Sequence, residues 1–479
     1  MMTDPLSVNP GFFLRLSALW RDIAGGRGTG AMPPLSPGLD DDDMGVVRQQ
    51  LNACLEGKGG VVSAHARAAS LGRAYLSLNE EGRIRFLGIL AREFSTDHQA
   101  VIAAARALID ASSGGDTSAI LAAETDLGRT LTAPRRILLT QFNALPEGVK
   151  FLVDLRGELL THIKTHPELR PLERDLRDLL TAWFDVGFLD LERITWDSAA
   201  SFLEKIITYE AVHAIQSWDD LKNRLDHDRR LYAFVHPRMP HEPLIFVEVA
   251  LVNGISGTIG DLLDLEAPLL DPAQADTAIF YSISNAQSGL AGISFGNFLI
   301  KRVVETLRRE FPGLKTFSTL SPIPGFRRWL DGVFAEGDIG PMSSAERKAL
   351  RAVDDRGAKG ALKRLIETDG WLTEEGGEEA VKGPLMRLCA RYLAVERRLG
   401  SGEGVERAYD PVAHFHLTNG ARVERINWRG DLSANGLRQS MGMMVNYLYK
   451  LDEIEKNHEA YQGNAAAAVS GTVKTLLKA

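Results

Sequence analysis

From Met44 to about Phe188, apolar residues recur every three or four positions, the period of an amphipathic helix. Phe86, Leu90 and Phe94 share one face; Leu152, Leu155, Leu159 and Ile163 share another; Leu172, Leu176, Leu179 and Trp183 share a third. Thr96 and Gln99 have the spacing of a capping box ahead of a helix over Ala100 to Ile109. No polar residues converge on these stripes, so the region predicts a helical bundle and not an active site. Residues 25 to 43, ahead of it, read as a linker whose acidic run Asp40 to Asp43 predicts a solvated helix start.

The period changes near Leu189. Leu231 to Val235 and Leu244 to Leu251 predict two strands joined by a connection of hairpin length. Thr277 to Ser284 predicts a buried strand, and Asn285 to Gly296 a loop carrying Gly289, Gly292 and Gly296. From Asn297 the spacing of Ile300, Val303, Val304, Leu307 and Phe311 predicts a helix. Lys315 to Leu320 predicts a second strand, which runs into Ser321-Pro322-Ile323-Pro324-Gly325-Phe326. A helix of that length between two strands implies a parallel pair with a right-handed crossover. Ligands sit at the carboxyl ends of such strands, where both loops lie. The glycine loop has two readings: bare N–H groups at a helix start, suited to a phosphate, or glycines serving a tight turn and close packing. Further on, residues 331 to 409 predict a charged, mostly helical insert. His414 to Thr418 and Ala421 to Trp428 predict a hairpin about Asn419-Gly420, with His414 and His416 on one strand face. A helix is expected over about Leu437 to Leu448, closed by Tyr447 and Tyr449.

A chain of 479 residues holds two or three domains with full cores. Its net charge of −8 argues against a nucleic-acid partner, which would want a basic stripe. Two cysteines, Cys54 and Cys389, make neither a disulfide framework nor a zinc site. No apolar run reaches membrane-spanning length. The glycine loop is neither Gly-x-Gly-x-x-Gly nor a P-loop with Lys-Ser/Thr, so nucleotide readings lose their usual support.

Longer stretches carry more. Thr277 to Ser284, Gln287 to Gly292, Phe298 to Val304, Leu320 to Phe326, Asp410-Pro411-Val412-Ala413-His414-Phe415-His416-Leu417 and Arg425 to Trp428 together resemble the malonyl-CoA decarboxylase family, in the family's order. The match is close over about the last 290 residues and loose over the helical first part. The resemblance implies an α+β protein: an all-α helical bundle over 1–188, used for oligomerisation, then a GNAT-like mixed β-sheet catalytic domain with a helical insert over 189–479. In that fold two parallel strands splay apart and the pantetheine arm enters the gap. The implied reaction is decarboxylation of malonyl-CoA to acetyl-CoA and carbon dioxide without metal or organic cofactor; the alternative is a GNAT-type acyltransferase.

By the same resemblance His416 is the proton donor and Ser321 its partner, assigned as proton acceptor and holding the malonyl carboxylate or the developing enolate. A histidine can be protonated near neutral pH with modest tuning. Tyr449 matches a family tyrosine near the reacting group. The family's CoA-binding segment falls on Ala291, Gly292, Ile293, Ser294, Phe295, Gly296 and Asn297, and Lys301, Arg302, Arg327 and Arg328 are candidates for the remaining phosphates. Ser294 stands where animal members carry a glutamate. The expected partners are malonyl-CoA and acetyl-CoA, with no nucleic acid and no membrane, and a second copy of the chain in a homo-oligomer (dimer or tetramer). The end Leu477-Lys478-Ala479 is not the Ser-Lys-Leu address of some relatives, and the expected location is cytoplasmic.

Overall fold

The computed structural model describes residues 10–24, 32–56, 60–293, 298–399 and 406–478. It divides into two compact units. The first comprises Met1–Asp190 with two short returns, 235–242 and 287–294; the second comprises Leu191–Phe234, Pro243–Ala286 and Phe295–Ala479.

The first unit is helical. Asp40 caps the helix Asp41–Leu55 by accepting from the Asp43 N–H, and three aspartates fill its first turn, so the acidic run is a solvated helix start. The expected capping box is replaced by one residue: Asp97 accepts from the Gln99 and Ala100 N–H groups and starts the helix His98–Gly114. Asp97 wins because its carboxylate reaches two orphan donors at once. The core is aromatic, with Trp20 edge-on to Phe151 at 5.0 Å and Tyr75 edge-on to Phe86 at 5.3 Å. Against the helix Gly148–His162 lies the turn Ser288–Leu290, so tightly that a Cβ on Gly289 would sit 1.7 Å from the Val153 carbonyl oxygen. Arg156 Nη1 donates to the Gly289 carbonyl at 2.6 Å. Gly289 therefore serves close helix packing, one of the two readings of the glycine loop.

The second unit is built on an eight-stranded mixed sheet. Its strands are β1 (Asp190–Ile194), β2 (Arg229–Val235), β3 (Ile245–Val252), β4 (Thr277–Asn285), β5 (Thr316–Thr319), β6 (Ser321–Pro322), β9 (Arg422–Asn427) and β10 (Met444–Leu448); β7 (Arg397–Leu399) and β8 (Glu406–Ala408) form a separate hairpin. β2, β3 and β4 are antiparallel neighbours, the first two as the connection of hairpin length predicts. β4 and β5 are parallel, from Thr277 opposite Thr316 to Phe280 opposite Thr319, with the helix Phe298–Glu310 between them.

Two expected elements differ. His414 to Thr418 is not a strand: Pro411–Thr418 is a helix whose N-cap, Asp410, accepts from the Val412 and Ala413 N–H groups. Asp at the cap with Pro at the first helical position outweighs the hairpin signal, and Gly420, at φ +77°, ends that helix instead of turning a hairpin. The helix expected over 437–448 stops at Ser440. Met441 (φ +55°) and Gly442 (φ +75°) break it, and β10 follows, pairing with β9 on one edge and with β5 and β6 on the other.

Candidate active site

The parallel pair opens beyond Phe280. Its last rung is the Leu320 N–H on the Phe280 carbonyl at 3.0 Å; past it, Ser321 and Pro322 pair with Val445 and Met444 of β10 instead of with β4. β4 meanwhile stays with β3, and the Ala286 N–H reaches the Leu244 carbonyl at 2.9 Å. Two strands bound to different neighbours must diverge. The gap holds a cavity of about 250 Å³ lined by Val212, Ile245, Phe280, Ile283, Val412 and Phe415, with Ser321 and His416 among its few polar groups.

Ser321 and His416, 95 positions apart, meet there: Ser321 Oγ lies 3.2 Å from His416 Nε2. Each is positioned from its own side. Ser321 closes the β5–β6 edge, and its hydroxyl donates to Thr319 Oγ1 at 2.8 Å. Thr319 Oγ1 also accepts from the Tyr447 N–H at 3.2 Å. His416 sits on the Pro411–Thr418 helix, and its Nδ1 lies 2.7 Å from the Tyr449 hydroxyl. A serine hydroxyl has one hydrogen, and here Thr319 takes it. Nε2 must then carry the imidazole hydrogen and donate to Ser321, leaving Nδ1 to accept from Tyr449.

Electrostatics agree with that neutral tautomer. His416 is buried, and burial lowers its pKa to about 3. This corrects the expectation of an imidazole protonated near neutral pH, because desolvation acts on it without an offsetting charge among the described residues. The Tyr447 ring stacks on the imidazole with centroids 4.4 Å apart and planes 25° from parallel. Burial also pushes the Tyr449 hydroxyl well above its ordinary value, keeping it a donor. His414, the other histidine of the motif, turns away to the Tyr461 hydroxyl at 2.8 Å.

Sequence reasoning missed Thr319, Tyr447 and Asp410. Thr319 had a readable signal, since it is two residues before Ser321 on a strand and so shares its face. Tyr447 had none while 437–448 read as a helix. Of the expected CoA segment, Ala291 and Gly292 are exposed, Gly292 at φ +74°, and Ile293 is buried. Ser294, Phe295, Gly296 and Asn297 lie outside the described residues. Lys301 is exposed on its helix, while Arg327 is paired with Asp331 at 3.0 Å. Among the described residues no three His, Cys, Asp or Glu side chains are grouped to hold a metal ion, and no helix is long and apolar enough to cross a membrane.

Comparison with known proteins adds the following. Residues 187–479 match the malonyl-CoA decarboxylase C-terminal domain and residues 94–184 the malonyl-CoA decarboxylase N-terminal domain. The mitochondrial malonyl-CoA decarboxylase of Anser anser anser is 40% identical over 413 residues, 84% of this chain and 81% of the relative. Crystal structures of malonyl-CoA decarboxylases superpose on the fold: that from Agrobacterium vitis with a TM-score of 0.79 at 40% identity, covering 90% of this chain and 99% of the other. The enzyme from Rhodopseudomonas palustris does so with a TM-score of 0.76 at 41% identity, covering 90% and 98%.

Proposed function

This chain belongs to the malonyl-CoA decarboxylase family, and from that premise we propose that carbon dioxide leaves malonyl-CoA in the gap between β4 and β5, with Ser321, His416 and Tyr449 as the working residues. The observation that carries the proposal is the 3.2 Å approach of Ser321 Oγ and His416 Nε2 at the mouth of two diverging parallel strands. A pantetheine arm is a chain of amides. It fits where β4 has lost its neighbour, with the thioester at the apolar cavity beside Ser321 and His416.

The chemistry follows from charge. Breaking the bond between the malonyl α-carbon and its carboxylate sends that bond's electron pair into the thioester carbonyl, forming an enolate, and carbon dioxide departs. Apolar walls favour this direction, since a localised carboxylate becomes a neutral gas and a delocalised anion. Ser321 holds the carboxylate out of the thioester plane by turning its hydroxyl hydrogen from Thr319 to the substrate. The enolate then needs a proton on carbon. In the free protein His416 is neutral, but a carboxylate a few ångströms away favours the imidazolium, so the proton enters with the substrate. His416 delivers it from Nε2, and Tyr449 holds the ring by Nδ1. Hydrogen bonds aimed at a developing oxyanion contribute ~10²–10³ each in rate, enough to carry the reaction on side chains.

The test is carbon dioxide release from malonyl-CoA with no acyl acceptor present. Ser321→Ala and His416→Asn should each reduce turnover at least tenfold while CoA still binds. Turnover equal to the parent's in both variants rejects the assignment, and a requirement for an amine acceptor would make the protein an acyltransferase. The helical first unit is our candidate for the contacts of a homo-oligomer.

A further inference from the structure

One buried carboxylate joins the two segments that supply Ser321 and His416. Asp410 is fully buried. Its Oδ1 accepts from the Val412 N–H at 2.9 Å and the Ala413 N–H at 2.8 Å, which caps the helix carrying His416. Its Oδ2 accepts from the Tyr392 hydroxyl at 3.1 Å, on the helix Gly377–Ala394. The turn after Ser321 meets the same group: the Gly325 N–H lowers the carboxyl pKa, and the next residue, Phe326, packs edge-on to the Tyr392 ring with centroids 5.7 Å apart. Gly325 has to be glycine for that approach, because a Cβ there would lie 2.3 Å from the Tyr392 oxygen. The carboxylate thus holds the Ser321 turn, the His416 helix and a helix of the insert.

We propose that Asp410 is a positioning residue for decarboxylation, setting the separation of Ser321 and His416 by clamping the turn after the first to the helix of the second. The proposal rests on the Ser321–His416 reading of the site. Its physical basis is geometric. β10 already links the two, since it pairs with β6 and Tyr447 stacks on the imidazole; the carboxylate adds a second link, at the start of the His416 helix, that keeps the helix from tilting about β10. A shift of about 1 Å in a reacting pair is enough to lose ~10² in rate. Fold stability alone gives a poor reason for such a residue. Desolvation raises the Asp410 pKa to about 6, so its charged form is held at a cost in stability at neutral pH. An amide in its place would still cap the helix, as asparagine does well. It would, however, offer an N–H₂ group where the Tyr392 hydroxyl needs an acceptor.

The experiment is steady-state decarboxylation of malonyl-CoA by full-length Asp410→Asn and Tyr392→Phe, with kcat expressed per CoA-binding site, beside thermal melting. Asp410→Asn is expected to lower kcat at least tenfold with KM within threefold and Tm equal to or above the parent's. Tyr392→Phe should lower kcat by a smaller factor with KM unchanged. A kcat per site within twofold of the parent in Asp410→Asn overturns the proposal, whatever happens to Tm. Should Asp410→Asn fail to fold, an unchanged kcat in Tyr392→Phe overturns it. If Ser321→Ala and His416→Asn keep full turnover, the underlying reading fails; if they lose it while Asp410→Asn and Tyr392→Phe do not, only the clamp fails.

Discussion

The His416 imidazole lies between the Ser321 and Tyr449 hydroxyls, and in the proposed reaction the proton it delivers arrives with the substrate. His416 at about 3 takes up no proton in the free protein at neutral pH. Binding malonyl-CoA to the Ser321→Ala variant should therefore draw protons from a weakly buffered solution, up to one per site, while acetyl-CoA, lacking the carboxylate, should draw none. A pH indicator reads this directly, and equal uptake with both ligands would refute it. The same residue leaves a mark on stability. Between the ordinary imidazole value of 6.5 and the folded value of about 3, the unfolded chain binds a proton that the folded chain does not. The stability His416 contributes is thus fully present above pH 6.5 and is lost as pH falls towards 3, by about 1.4 kcal/mol per pH unit at most. Asp410 has the opposite sign: raised from 3.8 to about 6, it contributes stability below 3.8 that is lost as pH rises through about 6. Between pH 4 and 6, denaturant unfolding should show a shallower rise of stability with pH in His416→Asn and a steeper one in Asp410→Asn, each compared with the parent.

Among elements, the informative contrast is between the strands that could be read and the helix that could not. β2, β3, β4 and β5 announce themselves through β-branched and aromatic runs whose faces are both covered, and burial of the whole of β2 is the reason. The Pro411–Thr418 helix has eight residues, a weak stripe and two histidines, so periodicity says little about it; its start is written in Asp410-Pro411, a capping signal easily passed over beside Asn419-Gly420. β10 was hidden for another reason. Met441 in the left-handed region and Gly442 after it convert a helix to a central strand within four residues, and what makes 444–448 a strand is pairing on both edges, a tertiary fact. The meeting of Ser321 with His416 is legible only once β10 is in place, because β10 carries Tyr447 and the pairing that turns Ser321 away from β4, and Tyr449 follows at its end. The glycine loop yields its own prediction. Since a Cβ at Gly289 would overlap the Val153 carbonyl, Gly289→Ala should destabilise the protein by about 1–3 kcal/mol in urea unfolding. Full stability with weakened CoA binding would assign Gly289 to the ligand instead.

For the molecule as a whole, the first unit raises a question its own packing does not answer. The helices His98–Gly114 and Thr117–Leu131 pack on each other, yet the second has no buried residue and the first buries only Ala104. Between them they leave Ile102, Ile109, Leu121 and Leu131 more than half exposed. Scattered surface leucines are ordinary, but four large aliphatic side chains on one two-helix hairpin form a surface that a second hairpin of the same kind would cover, as in a four-helix bundle. If the chain self-associates as proposed above, this hairpin is where the contact is predicted. Ile109→Glu combined with Leu121→Glu should reduce the species seen in analytical ultracentrifugation at micromolar concentration. The melting temperature of the free chain should hardly change, because exposed substitutions shift stability by about 0.5 kcal/mol or less. Turnover per chain should also persist, since Ser321, His416 and Tyr449 all belong to the second unit. A parent protein that sediments as a monomer, or a double variant that assembles as the parent does, would remove the hairpin from that role.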